Sequence, residues 1–318
     1  MNPTKIFVLH ENDEWVEPLR TAFATRGLPF EEWFLNEGTL DFSAPPPEGV
    51  FYNRMSASSH TRGHVYAPEY TKMVLAWLKS HGRRIVNGPE ALRLEVSKVE
   101  QYLALEASGI VTPKTVAAIG ADYTVAAATS FDGPFITKHN RAGKGLGVRL
   151  FQDSVSLRDY VDGDEFEESR DGVTLIQSYV EAPEPFITRV EFVGGKFLYA
   201  VRVDTSQGFE LCPADVCRID DAFCPVGTTE ERPMFDIIKD FDSPLMPRYE
   251  AFLAAHDIEV AAFEFIIDTD GNPYTYDLNT NTNYNSEAEA VAGMSAMGTL
   301  ADFLGEELAL TNVAQAAA

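Results

Sequence analysis

FEFIIDTDGNPYTYDLNTNTNYN, residues 263–285, contains two segments of alternating apolar and polar residues that flank the sequence DTDGNP. Alternation with a period of two predicts β-strands. Asp270-Gly271 between them is a strong signal for a two-residue type I′ turn, which fixes the register of a hairpin. In that register Glu264 lies directly across from Asp277.

Two carboxylates in opposed positions need a compensating charge. Their Cβ atoms would lie about 4.5–5.5 Å apart, where like charges destabilise a sheet, so either one carboxylate is protonated or a cation lies between them. Asn279, two residues further along the same face, adds an amide oxygen, and such an all-oxygen set suits Mg²⁺. We therefore predict a metal site at Glu264, Asp277 and Asn279, with Mn²⁺ as an alternative ion and a merely solvated polar face as the alternative reading. The opposite face is predicted to enter a core through Phe263, Phe265, Ile267, Tyr276 and Leu278.

The composition excludes several classes of function. The chain has 318 residues, of which 45% are hydrophobic, and a formal net charge of −24. So acidic a chain lacks the basic surface that duplex nucleic acid requires, and no apolar run approaches the ~18 residues of a membrane span. We expect no nucleic-acid partner and no membrane association. The start shows no secretory signal, and Cys212, Cys217 and Cys224 form no CxxC pair, which predicts free thiols in a cytoplasmic protein.

The order of the predicted elements divides the chain into three parts. Strands and helices alternate over residues 1–90, which predicts a small parallel α/β domain. Residues 91–175 hold a helix that begins at a capping box, SKVE, and then strands around a glycine-rich loop. Residues 176–312 are predicted to form antiparallel strands, with helices near 230–240 and 246–256. The predicted fold class is α/β followed by α+β.

A glycine-rich loop, RAGKGLG at 141–147, connects the predicted strands PFITKHN and VRLFQ. It is not a P-loop, because no Ser or Thr follows Gly-Lys at the required place, and not a dinucleotide fingerprint, because a strand follows it. We predict a flap whose backbone amides at Gly143, Lys144 and Gly145 fold over phosphates that Lys138 also reaches. A surface hairpin with a solvated lysine is the alternative.

Two arginines are predicted to face one anionic ligand. A turn at Gly194-Gly195 would bring Arg189, Glu191 and Arg202 onto one half-apolar face. Guanidinium groups in that setting suit a phosphate or a carboxylate. The alternative is a structural pair between Arg189 and Glu191.

A third arginine lies in an unusually cationic loop of this acidic chain. The segment YNRMSASSHTRGH, residues 52–64, follows a predicted strand and concentrates arginine and histidine. We predict that Arg54 binds a substrate carboxylate. The alternative is a solvated loop.

The order of these features resembles the ATP-grasp superfamily and, within it, the RimK-type and glutathione-synthetase-like carboxylate–amine ligases. The resemblance covers roughly residues 90–310, and the order and spacing of the motifs are more specific than any one of them. It implies an ATP-grasp fold, in which two α+β subdomains at 91–175 and 176–312 grip ATP. The features that carry the resemblance are Lys98, Lys138, the glycine flap, QSYV at 177–180, the arginine strands, and Glu264 with Asp277-x-Asn279.

The resemblance implies a nucleotide site. Lys98 and Lys138 match the two lysines that hold the nucleotide in this family. An acid a few residues beyond the hinge binds ribose, which here is either Glu184 or Glu181, although PEPFITR departs from the family's acid-x-Arg pattern. The hinge itself, typically Q-E-[YF]-[IV], contacts adenine through its main chain. It is matched here, with a serine in place of the acid, by Gln177, Ser178, Tyr179 and Val180.

The resemblance also implies a substrate site just past the last metal ligand. Asn281 and Asn283 would lie there, with Asn285 further out. Each amide offers both donors and an acceptor oxygen, so the pair could hold the amino and carboxylate groups of an amino acid. Together with Arg54 and Arg189 they would bind small carboxylate and amine partners of the amino-acid or peptide type. A homodimer is left open.

The implied reaction is ATP-dependent amide formation. A substrate carboxylate attacks the γ-phosphate of ATP, while Lys138, Arg202 and the flap amides offset the developing charge. An amine then attacks the acyl phosphate, which gives an amide, ADP and phosphate. The alternatives are an ATP-grasp kinase that phosphorylates a small-molecule hydroxyl, and a nucleotide-binding regulatory protein without catalysis.

Overall fold

The structure is a computed structural model that describes residues 4–143, 145–206, 234–238 and 240–317. The three cysteines and Lys144, for which the sequence made predictions, lie outside these ranges. Among the helices of the described residues, none combines the length and the apolarity needed to cross a membrane.

Within the described ranges the chain runs from an α/β part into an α+β part. The strands are β1 (Lys5–His10), β2 (Phe30–Phe34), β3 (Gly49–Asn53), β4 (Arg84–Val86), β5 (Thr115–Ile119), β6 (Phe135–His139), β7 (Arg149–Phe151), β8 (Val173–Ser178), β9 (Phe186–Val193), β10 (Lys196–Asp204), β11 (Phe235–Ile238), β12 (Val260–Ile267) and β13 (Pro273–Asn279). The helices are α1 (Asp13–Arg26), α2 (Ala67–Ser80), α3 (Pro89–Glu95), α4 (Lys98–Ala107), α5 (Ala121–Ala128), α6 (Ser154–Val161), α7 (Leu245–Ala255), α8 (Ser286–Ala292) and α9 (Ala296–Ala317).

The first sheet is parallel, as predicted, in the order β2-β1-β3-β4. Ile6 and Val8 of β1 pack into one core with α1, and Phe7 packs into another with α2. A parallel strand covered on both faces is apolar throughout, which is why KIFVLH shows no alternation. The segment after β3 continues to Ser56 and Ser58, which line the cleft described below.

The second sheet carries the glycine loop. Its order is β5-β8-β6-β7 with antiparallel neighbours, and the loop connects β6 to β7 as predicted. At the base of the loop the Asn140 side chain accepts from the amide of Val99 at 2.8 Å, and the Asn140 carbonyl accepts from the amide of Lys98 at 3.1 Å. The loop base therefore caps the start of α4. Because β8 belongs to this sheet, the predicted division at 175/176 passes through one of its strands.

The third sheet is antiparallel in the order β11-β10-β9-β12-β13, and its last hairpin has a different turn from the predicted one. The amide of Asp268 donates to the carbonyl of Asn272 at 3.0 Å, so three residues lie in the turn. Gly271 has a φ of 86°, but Asp270 does not share the positive φ that both central residues of a type I′ turn require. The two-residue turn is wrong, and Ile267 beside it is 43% exposed rather than buried.

A bulge in the same hairpin nevertheless restores the predicted pair. Glu264 lies opposite Asp277, but Phe265 lies opposite Thr275, so Tyr276 is the extra residue. The extra residue places Tyr276 beside Asp277 on the cleft side. The prediction that Tyr276 enters the opposite core is therefore wrong, and Thr275 is buried there instead.

A second bulge, between Phe197 and Tyr199, changes the face of Arg202. Beyond it Arg189 pairs with Val201, so Arg202 occupies the next position along the strand. Paired residues share a face and successive residues alternate. The prediction that Arg189 and Arg202 share a face is therefore wrong, because the bulge shifts the register by one residue.

Two helices were predicted between the strands of this part. Helix α7 confirms the one near 246–256. Residues 235–238 form strand β11 instead of the end of a helix near 230–240.

One hydrophobic core joins the first and third sheets. Leu300 and Leu304 of α9 pack with Leu19 of α1, and the same cluster includes Val193 and Val260 of the third sheet. The second sheet packs partly around a cluster of its own, formed within residues 118–176, and partly against the third sheet through Leu175 of β8. The segments after β3 and β13 are thus fixed on one shared core, across a cleft from the glycine loop.

Candidate active site

A cavity of about 500 Å³ is lined by residues from all three parts of the chain. It brings together most of the predicted site residues, which are Lys98, Lys138, Gly143, Gly145, Gln177, Ser178, Tyr179, Val180, Glu181, Glu184, Arg189, Glu264, Asp277, Asn279, Asn281 and Asn283. Arg54 and Arg202 do not line it. Lys144 lies outside the described residues.

Each of the two opposed carboxylates has its own cation. Lys98 contacts Asp277, and Arg189 Nη1 donates to Glu264 Oε1 at 2.8 Å. Asn279 Nδ2 lies 3.5 Å from the same Glu264 oxygen. Burial alone would raise the pKa of Asp277, but the charges of the nearby cations, Lys98 first, and the hydrogen bond from Lys98 together outweigh it, and the pKa lies below its usual value. Asp277 therefore stays ionised, within the set of oxygen-bearing side chains predicted to bind metal.

The two lysines that were predicted to bind nucleotide are both buried in the site. Lys138 Nζ donates to the hydroxyl of Tyr102 at 2.8 Å and to Gln177 Oε1 at 3.2 Å, and burial lowers the pKa of Lys138. Burial also acts to lower the pKa of Lys98, but the charge and the hydrogen bond of Asp277, together with the neighbouring Tyr102, outweigh it and that pKa is raised. The hydrogen-bond partners of Lys138 within the described ranges are uncharged, so its ammonium group is available to an anion in the cavity.

Arg189 joins three parts of the site. Its Nε donates to Glu191 Oε1 at 2.5 Å, its Nη1 to Glu264 at 2.8 Å, and its Nη2 to the hydroxyl of Thr282 at 2.5 Å. Thr282 in turn donates to Glu191 at 2.8 Å. The structural Arg189–Glu191 pair is present, and it links Glu264 of β12 to the segment after β13.

Arg202 lies on the other face of the third sheet. Its Nη2 donates to Glu184 Oε2 at 2.9 Å, and its guanidinium stacks on the ring of Phe186 at 3.9 Å. The predicted catalytic position of Arg202 therefore loses its geometric basis. Arg202 instead fixes Glu184, one of the two candidate ribose ligands.

The hinge residues have different backbone partners. The amide of Ser178 donates to the carbonyl of Lys114 at 2.9 Å, and that of Tyr179 to the carbonyl of Pro134 at 3.0 Å. Val180 follows and lines the cavity, and within the described residues its amide has no hydrogen bond. Val180 thus offers the hinge N–H that a bound base could use.

The glycine loop reaches across the cleft to the first part of the chain. Arg141 donates to both carboxylate oxygens of Glu69 on α2, at 2.6 and 3.1 Å. Gly147 has a φ of 72°, and a Cβ there would lie 2.3 Å from the ring of His139. A glycine is required at that position, because the backbone is left-handed and closely packed. The loop therefore covers the cavity while tied to α2, with Gly143 in its lining.

The asparagine run has two kinds of role. Asn281 Oδ1 accepts from Arg54 Nε at 3.1 Å and Asn283 Oδ1 from Arg54 Nη2 at 2.9 Å, and the same Nη2 donates to the carbonyl of Thr282 at 3.0 Å. Arg54 thus lies behind the two asparagines that line the cavity. Asn285, by contrast, caps α8 by accepting from the amide of Ala288 at 2.8 Å.

Sequence reasoning missed Glu95 and misplaced Tyr276, both of which line the cavity. Glu95 accepts from the amide of Thr280 at 2.8 Å and from the amide of Ala57 at 3.3 Å, which connects the segments after β13 and β3. Burial raises the pKa of Glu95. Its partners are distant in sequence, so no local spacing signals its role. Tyr276 would have required knowledge of the bulge.

Solved structures match nearly the whole chain, although no protein-family model and no curated protein matches it. The RimK-domain ATP-grasp protein of Sphaerobacter thermophilus is 18% identical, with a TM-score of 0.64 over 94% of this chain and 99% of that one. The ATP-grasp ligase PsnB, complexed with a minimal precursor, is 16% identical, with a TM-score of 0.66 over 95% and 98% of the two chains. D-alanine–D-alanine ligase of Bacillus anthracis, complexed with ATP, is 14% identical, with a TM-score of 0.65 over 98% and 99%.

These matches extend through all three sheets, as their coverage shows. They agree with the predicted order of a parallel α/β part and an α+β part. The chain therefore has the fold of the ATP-grasp superfamily.

Proposed function

We propose that the chain is an ATP- and Mg²⁺-dependent carboxylate–amine ligase that forms an amide through an acyl phosphate and releases ADP and phosphate. The observation that supports this most is the meeting, in one cavity, of a glycine flap, two buried lysines and the Glu264–Asp277 pair. Proteins of the same fold include ligases described in complex with ATP, or with Mg and ADP.

In this proposal the nucleotide lies between the hinge and the flap. The main chain at Val180 contacts adenine, and either Glu181 or Glu184 contacts ribose. Lys98 and Lys138 bind phosphate oxygens. The amides of Gly143 and Gly145 close over the same phosphates, since backbone N–H groups of a turn form an anion-binding concavity.

The metal-ligand set fits Mg²⁺. Glu264, Asp277 and Asn279 offer oxygen ligands side by side, and Mg²⁺ typically uses one or two carboxylates together with phosphate and water. Mn²⁺ is the alternative ion. When bound, the metal would offset charge on the phosphate oxygens. Arg189 and Lys98 hold two of the ligands in place and keep the cluster from carrying an uncompensated double negative charge.

The chain contributes positioning and electrostatics to the reaction. The substrate carboxylate attacks the γ-phosphate beside the ammonium group of Lys138, whose charge offsets the developing negative charge. The flap over the cavity keeps water away from the acyl phosphate until the amine attacks. Arg202 takes no part in this step and positions Glu184. Arg189 likewise positions Glu264 and Thr282 rather than binding substrate.

The substrates we propose are small acids and amines of the amino-acid or peptide type, bound beside Asn281 and Asn283. A cavity of about 500 Å³ has the size of a small-molecule site. The cytoplasmic location predicted from the free thiols fits substrates of this kind.

Phosphate release, measured over pairs of amino acids and small acids with ATP and Mg²⁺, tests the proposal. We expect release only when an acid and an amine are both present, together with an amide product in the mass spectrum. Asp277→Asn should abolish release and keep the fold, because it removes a metal-ligand charge. A phosphorylated hydroxyl without free phosphate would identify a kinase instead, and nucleotide binding without any turnover would identify a regulatory protein.

A further inference from the structure

Arg54 is a buried cation without a carboxylate partner. Arg54 is 2% exposed, and within the described ranges it takes part in no ion pair. Its Nη1 is enclosed and has no hydrogen-bond partner. Buried charges in proteins are normally paired, because removing a charge from water is costly. Something that carries a negative charge is therefore expected nearby when the site is in use.

The contacts of Arg54 determine how two amides are oriented. A guanidinium has only N–H donors, so the atoms that Asn281 and Asn283 turn toward it must be their Oδ1 oxygens. Their Nδ2 groups then point away from Arg54. Both residues line the cavity. Within the described part of the chain neither Nδ2 group has a hydrogen-bond partner, and neither is a fully buried polar atom that lacks one.

We propose that Arg54 orients Asn281 and Asn283 so that both direct N–H donors into the cavity and form a neutral subsite for a carboxylate of the amine-bearing substrate. The proposal rests on the proposed ligase function for the identity of that substrate. Arg54 is a positioning residue in it and does not touch the ligand. The carboxylate is one that does not react.

Three features select a carboxylate. The amide oxygens turn toward Arg54, whose positive charge repels an ammonium group, so the groups that the pair offers to a substrate are the Nδ2 donors. The charge of Arg54 behind the amides attracts an anion and polarises both N–H groups. Asn281 follows Asn279 by two residues on the cavity side, so the bound carboxylate would anchor the substrate close to the metal ligands.

The sharpest variant is Asn283→Asp. It keeps an oxygen for Arg54 and replaces the donating Nδ2 by a second oxygen, with almost no change in size. Asn285→Asp is the matched control, since it makes the same change two residues on, where Asp caps a helix as well as Asn does. The probes are glycine, L-alanine, D-alanine and acetate, each beside its carboxamide, measured by saturation-transfer NMR with and without AMPPNP and Mg²⁺.

We expect at least one of these carboxylates to bind the native chain and the Asn285→Asp variant, and its carboxamide not to bind. Asn283→Asp should weaken that binding at least about tenfold, which is the effect of losing a hydrogen bond to a charged group. Equal binding to Asn283→Asp, equal binding of the carboxamide, or no binding of any probe to the native chain would each overturn the subsite.

A second variant separates orientation from charge. Arg54→Lys keeps the positive charge but cannot hold both amide oxygens in a fixed fork. We expect carboxylate binding to fall as in Asn283→Asp, with AMPPNP affinity unchanged. Unchanged carboxylate binding would show that charge alone is responsible and would contradict the orienting role. None of these measurements depends on turnover, so a chain that binds the carboxylate but releases no phosphate would retain the subsite and lose the ligase function.

Discussion

At the scale of single residues, Arg189 holds together carboxylates that would otherwise be buried without a counter-charge. Its side chain is 6% exposed, and those of its partners Glu191 and Glu264 are 2% and 14% exposed. Arg189→Met should therefore lower the free energy of unfolding by about 3–5 kcal/mol, the usual cost of leaving a buried charge unpaired. Urea denaturation, monitored by circular dichroism, measures this change in the free energy of unfolding.

Arg202→Met is the control for that prediction. Arg202 is 34% exposed and its partner Glu184 is 59% exposed. An exposed ion pair contributes at most about 1 kcal/mol, so this variant should unfold close to the native urea concentration. Similar losses in both variants would mean that the Arg189 network is not a buried charge cluster.

The residues of the site that could be predicted are those whose chemistry shows in local spacing. Glu264, Asp277 and Asn279 share a hairpin, and Lys138 directly precedes a glycine loop. Glu95 could not be predicted, since the residues it contacts are far away in the sequence. The orientation that Arg54 imposes on the asparagines was also out of reach, because it requires knowing that the loop after β3 meets the segment after β13.

At the scale of elements, hairpin register was predictable only up to the first bulge. In β12–β13 a longer turn and a bulge cancel, so Glu264 and Asp277 are opposed as expected although the turn differs. In β9–β10 the predicted turn forms but an uncompensated bulge moves Arg202 to the other face. A bulge inserts one residue without a strong sequence signal, and one residue reverses every side chain beyond it.

The flap is the element whose behaviour the structure predicts most directly. Trypsin should cut after Arg141 in the free chain and more slowly with ATP and Mg²⁺, because phosphates would hold the loop amides closed. Glu69→Gln removes the pair that ties Arg141 to α2 and should speed cutting of the free chain by up to about fivefold, the equivalent of an exposed ion pair. Gel electrophoresis over time measures both rates.

Glu165→Gln is the matched control for the flap. This substitution also removes one exposed ion pair, that of Glu165 with Arg149 on β7, but this pair makes no connection to α2. Its cutting rate should equal that of the native chain. A loop that is cut equally fast with and without nucleotide, or that is insensitive to Glu69→Gln, would be a passive surface hairpin.

At the scale of the whole molecule, the third sheet shares a core with each of the other two sheets. The core shared with the first sheet fixes Arg54 relative to the asparagines, whereas the second sheet packs against the third through Leu175 and otherwise around its own cluster. The sequence predicted the parallel sheet, the glycine loop between two strands and the antiparallel sheet. It could not predict that α9 returns to pack against α1, since contacts between the two ends of a chain leave no periodic pattern.

Activation of a substrate carboxylate as an acyl phosphate can be followed with an oxygen isotope. The acid is supplied with heavy oxygen in both carboxylate positions, together with ATP, Mg²⁺ and the amine. Attack on the γ-phosphate carries one carboxylate oxygen into the acyl phosphate, and attack by the amine leaves that oxygen on phosphate. We expect free phosphate with one heavy oxygen per amide formed, measured by mass spectrometry. Phosphate free of the label would contradict it.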